Sequence, residues 1–508
     1  MPQVVLATVN ARYAHASAGL RCVGASLHDL EWRLEEFVGT EQPADIAERI
    51  LSHDPKVIGL GVYIWNVVVT RNVVAILKTV RPDVVVVLGG PEVSHEPPDP
   101  EQHQPIVKLA DHVISGEGEQ AFRDLCGAIL RGEPSPRFIA GGAPDLTTLP
   151  LPYDLYSDTD VAHRVIYVEA SRGCPFKCQF CLSALDTAVR DVPLDRLLPA
   201  LDRLLDRGVT QFKFVDRTFN LKINTSRQIL EFFAERQRPG LFVHFELVPD
   251  RLPAALREVI QRFPPGALQF EVGLQTLNPE VGAKIQRRQN MDRVRDNLGW
   301  LGTSSGVHVH ADLIVGLPGE DLDSFGEGFD ALLAMGPQEI QVGILKRLRG
   351  APIRQHDALM RYADGPPYEV LGTDKLSFGE IQRMKRFAKA WDVVANSGNF
   401  VESAPMLWQD KPSPFWGFLA FVDWLVAREG RVHSLSLDRL VCQVQDYLID
   451  ECGFSDELAS ATLLRDYTRS GRTKFPKRIR QGRTVSQAAL PKRQQRHVGA
   501  PTPQPPGL

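Results

Sequence analysis

The sequence predicts an α/β chain in three parts: an N-terminal doubly wound, Rossmann-like domain, a central partial (β/α)6 barrel, and a mostly helical C-terminal domain. Three observations carry this. Two separate series of short apolar runs alternate with amphipathic stretches, a Pro-, Gly-, Asp- and Thr-rich interval parts them, and the strand signal fades after about residue 355. At 508 residues the chain exceeds what one hydrophobic core normally supports, so several domains are expected.

The first series spans residues 1–132. Its runs are Val4-Val5-Leu6-Ala7, Val57-Ile58-Gly59-Leu60, Val84-Val85-Val86-Val87-Leu88 and His112-Val113-Ile114. Continuous Val/Ile-rich runs fit strands buried on both faces, as in a parallel sheet with helices on each side. Ligands of such sheets lie beyond the carboxyl ends of the strands, so the loops beginning at Thr8, Gly61, Gly89 and Ser115 are expected to face one. Residues 133–162, with Pro134-Ser135-Pro136 and Leu149-Pro150-Leu151-Pro152, read as a linker.

The second series, 163–355, runs through Val165-Ile166-Tyr167-Val168, Gln211-Phe212-Lys213-Phe214, Phe242-Val243-His244-Phe245, Leu268-Gln269-Phe270-Glu271-Val272, the run from Val307 to Ile314, and Ile340-Gln341-Val342-Gly343-Ile344. Six strand-helix units make an open barrel with its chemistry at the strand carboxyl ends. Pro199 stands inside the helical stretch from Leu194 to Asp206, where it would cost a backbone hydrogen bond. Residues 356–470 read as helical, and Trp391, Trp408, Trp416 and Trp424 are expected to pack as core rather than to line a pocket. The segment 471–508 carries nine Lys or Arg and no Asp or Glu, and reads as a solvated, disordered tail rather than a nucleic-acid arm.

Composition excludes little else. A hydrophobic content of 43%, a charged content of 24% and a net charge of -4 give no general attraction to nucleic acid. The apolar runs are too short to span a bilayer, and Met1-Pro2-Gln3 leads into a strand-like run without a secretory pattern, so a cytoplasmic protein with no membrane partner is expected. Seven cysteines, an odd number, argue against a disulfide framework. Cys22, Cys126, Cys442 and Cys452 sit among apolar or helical neighbours and read as small buried side chains.

The remaining three cysteines carry the chemistry. Glu169-Ala-Ser-Arg-Gly-Cys174-Pro-Phe-Lys-Cys178-Gln-Phe-Cys181 follows the first strand of the second series. Three thiolates on one loop can ligate three corners of a [4Fe–4S] cubane and leave the fourth iron open to chelate S-adenosylmethionine. A zinc knuckle built on Cys178 and Cys181 is the competing reading, but no second Cys or Cys/His pair follows at metal spacing.

At these residues the chain resembles the radical S-adenosylmethionine superfamily, over about 165–355. The resemblance includes Phe214-Val-Asp216-Arg-Thr-Phe219-Asn220, Glu271-Val-Gly273-Leu-Gln275-Thr276, and Asp312-Leu-Ile-Val-Gly-Leu-Pro-Gly319-Glu320. It implies a 5′-deoxyadenosyl radical as the working species. It also implies that Phe180 and the Gly316-Leu-Pro318-Gly319 turn lie near the adenine, Glu271 and Gln275 near the ribose or methionyl part, and Asp216 near the methionyl amine. An electron donor such as flavodoxin or ferredoxin and a small-molecule or peptide substrate are the implied partners.

The first domain resembles the cobalamin-binding domain of the cobalamin-dependent branch. The matching features are Asn10-Ala-Arg12-Tyr13-Ala-His15-Ala-Ser17, Tyr63-Ile-Trp65-Asn66, Gly89-Gly90-Pro91-Glu92 and Gly116-Glu117-Gly118-Glu119. The resemblance implies a corrin among Asn10, Tyr13, His15, Ser17, Tyr63, Trp65, Asn66, Gly89, Gly90, Glu117 and Gly118. The Asp-x-His-x-x-Gly motif that supplies an axial imidazole elsewhere is absent, and so is the Gly-x-Gly-x-x-Gly of dinucleotide-binding domains. The segment from Leu376 to Tyr467 resembles an uncharacterised helical domain that follows the barrel in one subgroup. Together these imply a cobalamin-dependent radical enzyme, with C-methylation of an unactivated carbon as the leading activity. Cyclising, oxygenating or rearranging chemistry is the alternative, and a non-catalytic cluster- and corrin-binding redox sensor the alternative of another class. Methylthiolation of tRNA would want a second cysteine trio in the first domain, which holds only Cys22 and Cys126.

Overall fold

The computed structural model describes residues 2–469, 472 and 476, so the tail expectation for 471–508 lies almost wholly outside the described residues. The first domain is a six-stranded sheet of β1 (Val4–Asn10), β2 (Trp32–Val38), β3 (Val57–Gly61), β4 (Val85–Gly89), β5 (His112–Ser115) and β6 (Phe138–Ala140), in the order β2-β1-β3-β4-β5-β6. Every pairing is parallel. Because the chain steps outward from β1 in both directions, its helices fall on opposite faces. Leu20 of α1 (Ala18–Ala25) and Phe122 and Leu125 of α5 (Glu119–Leu130) fill one side. Ile46 of α2 (Pro43–Leu51), Val73 and Leu77 of α3 (Val67–Val80) and Val107 of α4 (Pro105–Leu109) fill the other. This is the doubly wound domain expected, with its switch point between β1 and β3.

The sequence reading missed β2 and β6. Trp32-Arg-Leu-Glu-Glu-Phe-Val38 interleaves charges with apolar residues because β2 is an edge strand, and β6 is three residues long with its outer side chains exposed. The linker reading of 133–162 is therefore corrected in part. Phe138–Ala140 belong to the sheet, Tyr153 and Tyr156 are buried, and Ser157 and Asp160 form a capping box on α6 (Asp158–His163).

The second sheet is β7 (Ile166–Val168), β8 (Gln211–Phe214), β9 (Phe242–Leu247), β10 (Leu268–Gln275), β11 (His308–Val315) and β12 (Glu339–Ile344). These six strands pair side by side in sequence order, all parallel, as a partial barrel requires. Phe212, Phe214, Phe233, Phe245 and Phe270 form its aromatic core. The helix Leu194–Asp206 runs unbroken through Pro199, which faces solvent while Leu197, Ala200, Leu201 and Leu204 face inward. Water can therefore satisfy the carbonyl that proline leaves unpaired.

The C-terminal region holds the helices Phe378–Val393, Pro414–Glu429, Leu437–Asp450 and Asp456–Arg469. The region is mostly helical, as expected, and also holds an antiparallel pair, Met360–Tyr362 with Val370–Thr373. Trp391 packs against Phe329, Phe387 and Phe418 in the core, whereas Trp416 is partly exposed. No helix among the described residues is long and apolar enough to cross a membrane.

Candidate functional site

The cysteine loop leaves β7 under tight control. The Asp216 carboxylate accepts the Ala170 amide at 2.9 Å and the Ser171 hydroxyl at 2.6 Å, fixing the first residues of the loop. Gly173 has φ +90°, and a Cβ there would sit 2.2 Å from the Ala188 carbonyl oxygen, so only glycine lets the chain turn into Cys174. Cys174, Cys178 and Cys181 then line one cavity of about 190 Å³, with Phe176, Phe180 and Thr218 around them. All three are free thiols. Arg287, which no sequence signal singled out, donates to the Cys178 sulfur at 3.3 Å and to the Gly273 carbonyl, and its positive charge suits a site of clustered thiolates. Among the described residues no three metal-ligating side chains group round a single ion, so the fit to a cluster rests on the shared cavity and on thiol chemistry.

Glu271 and Gln275 of β10 line the same cavity, joined by Glu246 and Asp312 from the flanking strands. Gln275 has φ +73°, at the point where the β10–β11 register shifts. The carboxyl groups divide in character. Burial opposes ionisation of Glu271, but the His244 hydrogen bond and the Lys213 charge outweigh it and hold the group down at about 2. Burial pushes Glu246 up, against the opposing pull of Arg217. Burial also drives Asp312 well above the carboxylate range, helped by the charges of Glu271 and Glu246. The cavity floor thus offers a charged acceptor in Glu271 beside Glu246 and Asp312, whose ionisation burial opposes.

Four of the residues expected near S-adenosylmethionine, Asp216, Gly316, Pro318 and Gly319, are not on the wall of this cavity. Asp216 is buried behind the loop it holds, and burial raises its carboxyl to about 7. The turn of Gly316, Pro318 and Gly319 is packed against other parts of the chain: a Cβ on Gly316 would meet Val370 at 2.6 Å, and one on Gly319 would meet the Lys284 ammonium at 2.2 Å.

A second cavity, about 410 Å³, opens at the carboxyl ends of β3, β4 and β5, between the first domain and the barrel. Of the residues expected around a corrin, Tyr63, Gly89, Gly90, Glu117 and Gly118 line it. Gly90 has φ +107°, and its Cβ would strike the Val62 carbonyl oxygen at 2.5 Å, so this glycine makes the turn. Gly89 is different. A Cβ there would meet only the Ile114 carbonyl oxygen at 3.9 Å, which leaves open space that a broad ligand could occupy. Leu6, Leu60, Val87, Leu88 and Ile114 add apolar wall, so the lining fits a large flat ligand.

Six other residues expected here do not reach the wall, because each is held by the protein. Asn10 donates to Glu36 at 2.9 Å, and Ser17 caps α1. Asn66 is buried and bonds the ends of β1 and β3 through Thr8, Val9 and Gly61. Tyr13 lies under the Arg164 guanidinium, and His15 Nδ1 is 2.6 Å from the Tyr167 hydroxyl. Trp65 stacks on Tyr63 with ring centroids 4.5 Å apart and supports the wall from outside. Cys22, Glu119, Glu169 and Arg172 also line the cavity, although the sequence assigned none of them to a corrin. Arg172 bridges Glu169 of the cysteine loop to Glu117 and Glu119 of the first domain, all at 2.7 Å, and so seals the seam beside the cavity. No local pattern marks such residues, since their partners come from distant segments.

Comparison with known proteins agrees with this layout. Family models match in series: B12 binding domain over 4–126, radical SAM superfamily over 168–332, and a protein of unknown function (DUF4080) over 356–496. The cobalamin-dependent radical SAM methyltransferase TokK of Streptomyces tokunonensis is 26% identical over 353 residues, covering 61% of this chain and 49% of that protein. An uncharacterized methyltransferase of Pyrococcus horikoshii is 26% identical over 308 residues, covering 54% of this chain and 64% of its own length. The chain thus spans half to two thirds of the length of these relatives. Among solved structures, the cobalamin-dependent S-adenosylmethionine radical enzyme OxsB aligns with a TM-score of 0.59 at 13% identity, covering 92% of this chain and 84% of that one, a likeness of fold.

Proposed function

We infer the activity from a premise the three domain matches supply: the chain belongs to the radical SAM proteins that carry a B12-binding domain, in the subgroup closed by DUF4080. We propose that it is a cobalamin-dependent radical S-adenosylmethionine enzyme and that its reaction is methylation of an unactivated carbon. One observation supports this above the rest: the cysteine cavity and the apolar cavity at Gly89 lie side by side, with Arg217 on the wall of both. A cofactor in each would face the same small volume.

When bound, the cluster with S-adenosylmethionine supplies a carbon radical and the corrin supplies a methyl group. The chain's own residues then have separable tasks. Cys174, Cys178 and Cys181 would ligate three irons, and Asp216 and Gly173 set the loop that presents them. Glu271, ionised far below neutral pH, accepts hydrogen bonds from hydroxyl or ammonium groups at the cavity floor, while Phe180 offers a flat apolar face. Gly89 and Gly90 keep the β4 loop clear of the second ligand, and the Arg172 bridge limits water entry between the domains. Methyl transfer is also what the names of the two relatives describe.

Anaerobic reconstitution tests the proposal. About four irons per chain, a bound corrin seen by absorbance, and 5′-deoxyadenosine formed with reductant are expected. Methyl label from S-adenosylmethionine should appear in a product carbon when an extract supplies the substrate. Cys178→Ala should lose the iron. Radical formation without any labelled product would leave a cyclising or rearranging enzyme, and iron binding without 5′-deoxyadenosine would reject enzymatic radical chemistry altogether.

A further inference from the structure

The charged side chains around the two cavities are nearly all committed to one another. Arg172 is taken by Glu169, Glu117 and Glu119, Arg190 by Glu117 and Asp186, and Arg287 by the Gly273 carbonyl and Cys178. Lys213 lies 3.6 Å from Glu271. Arg217 stands apart. Its guanidinium makes no hydrogen bond among the described residues, its nearest acid is Glu246 at 4.0 Å, and its side chain is 58% exposed. Among the described residues it is also the one that lines both cavities. Val215 adds apolar wall to the larger cavity, and Leu247 and Val248 add it to the smaller.

We propose that Arg217 anchors the carboxylate of an apolar acid lying across the junction of the two cavities, and so sets the class of substrate. This rests on the function proposed above, since the junction is where a third molecule would meet both cofactors. A planar guanidinium with free N–H groups at the mouth of two cavities can pair with a carboxylate through two parallel hydrogen bonds. Its only competitor, Glu246, is too distant to satisfy it. The carboxylate has two possible sources, a separate acid or the methionyl end of S-adenosylmethionine, and the test separates them.

Protein loaded with cluster and corrin is titrated calorimetrically with 3-phenylpropionate and with its uncharged amide, with and without saturating S-adenosylmethionine. The acid should bind about tenfold more tightly than the amide, equivalent to about 1.4 kcal/mol, in both conditions. Arg217→Gln should erase that preference, and Arg217→Lys should retain part of it because charge remains without the fork. Equal binding of acid and amide, or a preference that survives Arg217→Gln, overturns the assignment. A preference abolished by S-adenosylmethionine also overturns it, by giving Arg217 to the cofactor. If the protein takes up neither iron nor corrin, the function itself fails before any probe is added, and this inference falls with it.

Discussion

Replacing Arg21 by Met should open the seam between the first domain and the barrel. Arg21 is 2% exposed and donates to Glu36 at 2.7 Å, to Asp160 at 2.8 Å and to the Ser17 carbonyl at 3.0 Å, with its guanidinium 4.7 Å above the Tyr156 ring. Removing one partner of a buried ion pair costs about 3–5 kcal/mol, because the other charge stays buried without its counterion. Here Arg164 remains at 2.8 Å from Glu36 and 3.4 Å from Asp160. The loss should therefore fall at the low end, about 3 kcal/mol, or roughly a hundredfold in the opening equilibrium. The reporter is the Val165 amide, which crosses the seam to the Ala14 carbonyl at 2.9 Å. Its hydrogen exchange should accelerate by about that factor, while the Val243 amide, bonded to Ala267 inside the barrel, should not respond. Burial opposes ionisation of Glu36, but Arg21 and the surrounding donors win and hold it below the ordinary carboxylate range. The seam's contribution is thus present above that range and fades as pH falls through the depressed value; Arg21→Met should flatten this dependence. A change of less than about fivefold at Val165, or costs for Arg21→Met and Glu36→Gln that simply add, would refute the argument.

Gly89→Leu should leave the fold intact, because a Cβ there meets nothing closer than 3.9 Å, yet it should weaken corrin retention at least about tenfold by filling the cavity. Unchanged absorbance after gel filtration of the reconstituted variant would exclude Gly89 from the corrin site. Asp216→Asn should alter the pH dependence of stability. Burial raises Asp216 from 3.8 to about 7, so the unfolded chain ionises first and stability falls as pH rises between those values. The three-unit shift corresponds to about 4 kcal/mol once the pH exceeds both values. Asparagine removes this contribution, and the variant's denaturant midpoint should gain on that of the parent between about pH 5 and pH 8. An equal difference at both pH values would show that Asp216 is ionised in the fold.

The sequence revealed what is written in contiguous residues. Strands buried on both faces, such as β3 and β4, show as unbroken Val/Ile/Leu runs, while β2 and β6 stay hidden because edge strands need no such run. The cysteine loop was legible because its three ligands share eight residues, and Gly89 and Gly90 because a strand end followed by paired glycines has a backbone meaning. Asp216, Asn66 and Ser17 stood in suggestive loops but serve the loops themselves, holding backbone amides and carbonyls in place. Polar residues near a ligand and polar residues that shape its loop look alike in one dimension. Arg217 illustrates the converse: it lies within Phe214-Val-Asp216-Arg-Thr-Phe219-Asn220, yet only the meeting of two cavities gives it meaning.

The stretch that joins the barrel to the C-terminal helices contributes to that meeting although it lines neither cavity. Tyr368 donates to Glu92 at 2.5 Å and Arg349 to Glu96 at 2.9 Å, both on the loop that follows Gly90. His356 Nε2 lies 2.7 Å from the Gln179 side-chain oxygen, between Cys178 and Cys181. One stretch of chain, 349–368, therefore touches the loop beside the corrin-side cavity and the loop that bears the cysteines. The Arg21 seam holds the two domains together behind the cavities and the Arg172 bridge holds them beside the larger one, so this stretch supplies a third tie. Cavities formed by different domains keep a fixed spacing only if rotation about each single tie is blocked by another. Three ties at separate places achieve that, which gives the stretch joining the barrel to the C-terminal helices a structural task of its own.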